Sequence, residues 1–349
     1  MIIDVHVHLI GMSRENGCLM SPKLSSGLMY HLLTWELGLT GVGRRELDRA
    51  YRDQVVAWAE DSELDGVGIL AFDGVYDELG HFDDDRTQFY VSNDYCFQVC
   101  EYSDKLLPIA SVNPWRRDAF DELERVSERG AVALKLLPNS HNVDPGEARF
   151  QRFWRRVAEL GLPLISHTSF EHTIPPLNQA YGKPERLRPV LEEGVLVIAA
   201  HCAGSGVAHP FEEDFGTWRA MLDEYPNLFG DISAMTSVSR FPYIHKVLAD
   251  EEAQRRVVLG SDFPIPVSPM VFSPQLGWAK ARELAQLTNP LQQNLEVFLA
   301  LGVKEDIMKR GAELLRLPEG FGKSTKEPVH EVEALETGEP GESEFEKGD

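Results

Sequence analysis

Eight short apolar runs, each followed by a longer stretch with helical spacing of apolar and charged residues, constrain this chain more than any other feature. The runs fall at 2–8, 66–72, 107–112, 131–136, 163–167, 195–201, 228–232 and 257–262. Between them 45–60, 93–102, 117–128, 149–160 and 215–225 read as helices, and after the last run 276–287 and 291–301 read as closing helices. Within 119–128, Phe120, Leu123 and Val126 recur about one turn apart and predict an apolar face. Gly130, Gly161 and Gly194 each stand just before a run, where a helix ends. Strand–helix alternation repeated eight times predicts an α/β fold of the (β/α)8, or TIM-barrel, kind. The alternative, an open doubly wound sheet, would place a glycine-rich turn after the first strand. The segment Val7-His8-Leu9-Ile10-Gly11 offers none.

The 349 residues therefore read as one barrel domain at 1–322 and a disordered acidic tail at 323–349, which carries nine acidic side chains against three lysines. Two connections, 11–44 and 73–92, are too long for plain turns and are expected as rim loops that shape an active site.

A formal charge of −22 argues against a nucleic-acid partner and against anionic membrane surfaces. No run approaches the roughly 20 apolar residues of a membrane span. The N-terminus is too short and polar for a signal peptide. Cys18, Cys96, Cys100 and Cys202 lack disulfide or zinc-knuckle spacing and read as free thiols. These features place the expected location in a reducing cytoplasm and leave a small-molecule substrate as the expected partner.

Chemistry-bearing residues gather at the ends of the runs. His6 and His8 are two apart on one strand and share a face, the barrel interior, leaving Val5 and Val7 toward the helices. His167 ends the fifth run, His201 the sixth and Asp262 the eighth, and Lys135 lies near the end of the fourth. Imidazole with carboxylate suits a divalent metal that activates water, with Asp262 as the group that moves the proton. Glu171 and His172 on the fifth loop, and Asn113 at the end of the third run, are candidates for substrate contact. Asp231 is a candidate for orienting substrate or ligands. His31, on an amphipathic stretch of the first loop, reads as a lid or subunit-packing residue. Cys202 should point out of the barrel by strand alternation.

The motifs DVHVH (4–8), ISHTS (165–169), AAHCAG (199–204) and GSDFP (260–264) resemble the amidohydrolase superfamily. More narrowly, they resemble its branch of aromatic and muconate-semialdehyde decarboxylases and pyrone-dicarboxylate lactonases. The resemblance runs from residue 2 to about residue 315. It implies a metal on His6, His8, His167 and Asp262, with His201 either holding a second metal or polarising the substrate. A fourth-strand lysine can be carboxylated and bridge two metals in that superfamily, which raises the question for Lys135. The surrounding Ala133–Pro138 sequence favours the one-metal branch, with Lys135 binding a substrate anion or supporting a ligand. Zinc is the first choice, with Mn2+ or Fe2+ as alternatives, and pairing into a homodimer is implied. The leading expectation is hydrolysis of a C–N or C–O acyl bond. The first alternative is non-oxidative decarboxylation of an aromatic or muconate-type acid, with Arg14, Lys23, Arg44 and Arg45 as the cations available in the first loop. The second is a catalytically inactive binding barrel.

Overall fold

The computed structural model describes residues 1–209 and 211–322; the expected acidic tail at 323–349 lies outside them. Eight parallel strands follow one another in chain order around a barrel: β1 (Ile3–His8), β2 (Gly66–Leu70), β3 (Leu106–Ala110), β4 (Ala133–Leu136), β5 (Leu164–Ser166), β6 (Val197–Ala199), β7 (Leu228–Asp231) and β8 (Val257–Val258). The chain just beyond β8 closes the ring on β1. Val5 N–H donates to Leu259 O (3.1 Å), Asp262 N–H to His6 O (2.9 Å) and His8 N–H to Phe263 O (2.8 Å). The (β/α)8 barrel predicted from the alternation is the observed fold; seven of the eight runs contain their strand, and the third strand begins one residue before its run, at Leu106.

The helices bury the faces that their spacing dictates. Arg44–Glu60 buries Leu47, Tyr51, Val55 and Ala59 at four-residue steps. In Ala119–Glu128 the buried apolar residues are Ala119, Leu123 and Val126, spaced i, i+4, i+7. Phe120, expected on that face, is 44% exposed and meets the ring of Phe153 edge-on, because a strict three-residue step drifts off a 3.6-residue stripe. Gly130 ends this helix at φ +87°, so that its N–H reaches Ser127 O and Ala131 N–H reaches Val126 O. The closing segment at 276–287 is broken at Gly277 into Ser273–Leu276 and Trp278–Leu284, whereas Pro290–Ala300 matches its prediction. A helix that the pattern did not flag, Glu305–Leu314, packs against β1 and β8. It can do so because Gly311 has no Cβ: one would stand 2.9 Å from Val5 Cγ1.

Both long connections rise from the C-terminal ends of the strands and pair with each other through the short antiparallel strands Leu19–Met20 and Phe89–Tyr90. The first also carries the helix Leu28–Glu36. Buried Asp48 pins this loop, accepting from Met12 N–H (2.7 Å), Ser13 N–H (3.0 Å) and the Asn16 amide (2.8 Å). Among the described residues no helix is long and apolar enough to cross a membrane.

Candidate metal centre and its cavity

The C-terminal ends of β1 and β8 bring three donor atoms together. His6 Nε2 lies 3.3 Å from His8 Nε2, and both lie 3.2 Å from Asp262 Oδ1. His6 is wholly buried and the Asp262 side chain nearly so, while His8 faces the opening with 21% of its side chain exposed. Ligands ~2.1 Å from a tetrahedral metal stand about 3.4 Å apart, so this triangle fits a divalent cation.

A buried partner orients His6, and backbone hydrogen bonds fix the chain that carries His8 and Asp262. His6 Nδ1 donates to Asp231 Oδ2 at 2.8 Å, which leaves the lone pair of Nε2 facing the triangle. Burial alone would raise the Asp231 carboxyl, but His6 and then His201 outweigh it and hold the group well below the usual carboxylate range. Burial is likewise outweighed at Asp262, by His201 and His8, so this carboxylate too stays ionised. Tyr51 donates its hydroxyl to His8 O (2.6 Å), tying the end of β1 to the helix behind it.

His201 sits where the sequence predicted, but not on a strand. It begins a run of three left-handed residues, His201 (φ 58°), Cys202 (φ 49°) and Ala203 (φ 56°). Such backbone is costly for residues with a Cβ and persists only when its surroundings fix it. Here Asp231 Oδ1 accepts the His201 N–H at 2.8 Å. Strand alternation therefore does not govern Cys202, whose buried thiol donates to Asp231 O at 3.1 Å and is pushed far up by burial. His201 Nδ1 faces both Ser233 O (3.1 Å) and Ser233 Oγ (2.8 Å). A carbonyl only accepts, so Nδ1 carries the proton. Burial and then Arg240 pull the ring's pKa down to about 3, leaving it neutral with a lone pair on Nε2. Asp262 has the same left-handed backbone, at φ 65°.

The remaining predicted residues divide. His167 stands outside the triangle, its ring 5.2 Å from that of His201 and its Nε2 3.5 Å from Glu171 Oε2. Glu171 is buried against the cavity with its Oε1 accepting from Thr173 and Ile174 N–H, and burial raises its pKa. His172 is also a wall of the cavity, stacked on His209. Lys135 is 1% exposed, with Nζ 2.9 Å from His6 Nε2 and its pKa drawn down to about 8 by burial. It stands against His6 and is not a cavity wall. Asn113 does not reach the cavity: its amide donates to Gly74 O and His141 O and its carbonyl accepts Trp115 N–H. His31 is exposed on the outer side of the helix Leu28–Glu36.

Above the triangle lies a cavity of about 1080 Å³ including its open mouth, with His8, His167, Glu171, His201, Arg240 and Asp262 at its polar end. The cations expected from the first loop are elsewhere. Arg14 pairs with Asp84, Arg45 with Glu15, Arg44 reaches Ser25, and none of these or Lys23 lines the cavity. The cation at the cavity is instead Arg240, from the connection after β7, which no motif marked.

A family model described as amidohydrolase matches residues 3–314. Solved structures with the same fold include an uncharacterised TIM-barrel protein from Bordetella bronchiseptica, 16% identical, with a TM-score of 0.59 over 89% of this chain and 96% of that one. A 5-carboxyvanillate decarboxylase from Sphingomonas paucimobilis is 11% identical, with a TM-score of 0.55 over 91% of this chain and 99% of that one. A probable 2-pyrone-4,6-dicarboxylic acid hydrolase from Acinetobacter baumannii is 12% identical, with a TM-score of 0.51 over 89% and 98%. No curated protein gives a significant match.

Proposed function

The chain belongs to the amidohydrolase family, and from that premise we propose that it is a metal-dependent hydrolase of a C–N or C–O acyl bond in a small organic substrate. One observation carries the reading: two imidazole nitrogens and a carboxylate oxygen converge within 3.2–3.3 Å at the polar end of a substrate-sized cavity. His6, His8 and Asp262 would hold one divalent metal, zinc in the first instance, with His167 as the further ligand that the resemblance implies. Bound there, the metal supplies Lewis acidity toward a substrate or water oxygen.

The chain's own residues supply the rest. Asp231 fixes the His6 tautomer, so that the metal-facing nitrogen stays unprotonated. Lys135, already inclined to give up its proton, can lose it when a doubly charged cation arrives beside it. Asp262 is ionised and can take a proton from an attacking water and return it to the leaving group. His201, neutral with its Nδ1 proton engaged by Ser233, offers a lone pair at Nε2. That tautomer suits proton acceptance or metal ligation, and does not suit donating a hydrogen bond to a substrate carbonyl, the role first expected of it.

Decarboxylation is the second reading, favoured by one observation: Arg240 places a buried guanidinium where a substrate carboxylate would need one. Metal analysis of protein purified without chelator, followed by turnover of an amide, ester and lactone panel and of aromatic acids, tests both readings. The first expects about one metal per chain, and acyl hydrolysis without CO2 release. Release of CO2 with no hydrolysis would establish the second, and protein that binds no metal and gains no activity from zinc or manganese would remove both in favour of a binding barrel.

A further inference from the structure

Arg240 is out of place as a structural residue. It is 9% exposed, yet among the described residues no carboxylate lies within ion-pair distance of it. Its Nε donates to Gly204 O at 3.0 Å and its Nη2 to Phe170 O at 3.3 Å, while Nη1 meets no protein acceptor among the described residues. Two carbonyls hold the plane of the guanidinium and leave Nη1 unengaged on a residue that lines the cavity. Glu171 is close enough to feel the charge, but its Oε1 is spent on two backbone N–H groups and its Oε2 faces His167. A buried cation without a counter-charge is expensive unless something that binds there supplies the anion.

The rest of the cavity is chemically the opposite. Beyond the polar end its walls are Met20, Met29, Leu33, Leu37, Phe89 and Ile265, among other apolar groups. Two polar residues within this sleeve, Thr34 and Tyr30, have their hydroxyls occupied. Thr34 donates its hydroxyl to Tyr30 O (2.9 Å), and the Tyr30 hydroxyl points to Met12 Sδ (3.7 Å). No second cation is present in the sleeve: Arg240 is the only Lys or Arg on the cavity wall among the described residues.

We propose that the substrate is an amphiphilic monoacid. Its single anionic group binds Nη1 of Arg240, and its apolar body fills the sleeve made mainly by the two rim loops. This deepens the hydrolase reading and rests on it for the chemistry, but recognition itself rests on Arg240 and the sleeve. A dianion of the same length would have to bury its second charge against methionine and leucine, so it is excluded.

Isothermal titration of the zinc-loaded chain with butanoate, octanoate, octanedioate and octan-1-ol tests this. Octanoate should bind about a hundredfold more tightly than butanoate. Octanedioate and octan-1-ol should each bind at least about tenfold more weakly than octanoate. Arg240→Met should cost octanoate about tenfold or more and leave octan-1-ol unchanged, and Arg240→Lys should fall between, which separates lost charge from a misfolded loop. Octanedioate matching octanoate, octan-1-ol matching octanoate, or an Arg240→Met protein that binds octanoate normally would each overturn the proposal. Zinc content of the same sample is read separately: if none is bound, the metal-dependent reading fails while the titrations still decide recognition.

Discussion

The floor of the cavity and its sleeve are made by different parts of the chain and held by different forces. At the floor buried hydrogen bonds fix the ring of His6 through Asp231, the ring of His201 through Ser233, and the backbone of Asp262 through His6 O. The sleeve is built mainly from two rim loops that are joined by a two-residue strand pair and pinned by Asp48, and it presents methyl and phenyl groups. Its helix Leu28–Glu36 is apolar on both sides, with Leu28 76% and Trp35 74% exposed on the outer one. A hydrogen-bonded network tolerates no misplaced atom, because each unpaired group costs its desolvation. An apolar wall adapts by repacking. Substitutions at the floor should therefore damage chemistry and metal binding, and those in the sleeve should alter selection among substrates.

The sharpest break is Asp262→Asn, which keeps the shape but removes the charge and the proton acceptor. Turnover should fall at least about a thousandfold while some metal is retained, as measured by rate and by elemental analysis on the same sample. Full activity in this variant would remove Asp262 from the mechanism. Next comes Asp231→Asn, which touches no substrate. By disturbing the orientation and tautomer of His6 it should weaken zinc affinity about 10–100-fold in competition with a chelator. An unchanged zinc affinity would mean that His6 needs no orienting partner.

The difference between the two regions also explains what could be read from sequence. His6, His8, His167, His201 and Asp262 were legible because each ends an apolar run, and in a barrel strand ends converge whatever the helices do. The left-handed backbone of His201, Cys202, Ala203 and Asp262 was not, since no glycine marks it. It is imposed by bonds from distant strands, Asp231 to His201 N–H and Asp262 N–H to His6 O. Asn113 looked like a strand-end polar group of the same kind, yet its amide is consumed by Gly74 O of the second rim loop and His141 O, and its carbonyl by the turn after β3. Arg240 could not be found at all. It lies in an ordinary loop sequence, and its meaning comes from the Gly204 and Phe170 carbonyls that aim it. The long loops announced themselves by length, but their pairing into a sleeve depends on a strand register that two residues cannot signal.

Within the floor the carboxylates themselves diverge, which pH can expose. Asp4 lies below His6 on the same strand and accepts from His6 N–H (3.0 Å) and Ser261 N–H (2.9 Å). Burial nevertheless raises its pKa from 3.8 to about 6, against those bonds. A folded-state value above the unfolded one means stability that is present below about pH 4 and lost as pH rises through about 6. Asp4→Asn keeps the accepting oxygen and removes the titration. The wild type should thus lose up to about 3 kcal/mol relative to the variant between pH 4 and pH 7. Urea denaturation of both proteins across that range measures it. A constant difference would show that Asp4 is ionised in the folded state like Asp231 and Asp262.

The smallest effects should come from the sleeve, and one helix holds its own control. Leu33 lines the cavity, while Trp35, two residues on, points outward. Leu33→Asn places an amide where an apolar substrate body would pack, so KM for such a substrate should rise about tenfold with kcat little changed, because the donors at the floor are untouched. Trp35→Asn should leave KM, kcat and, to within about 0.5 kcal/mol, stability unaltered. If both substitutions raise KM alike, the helix acts as a whole, as a lid or a contact with another protein. If Leu33→Asn lowers kcat instead, the sleeve positions the reacting bond, and the division between a floor that reacts and a wall that selects fails.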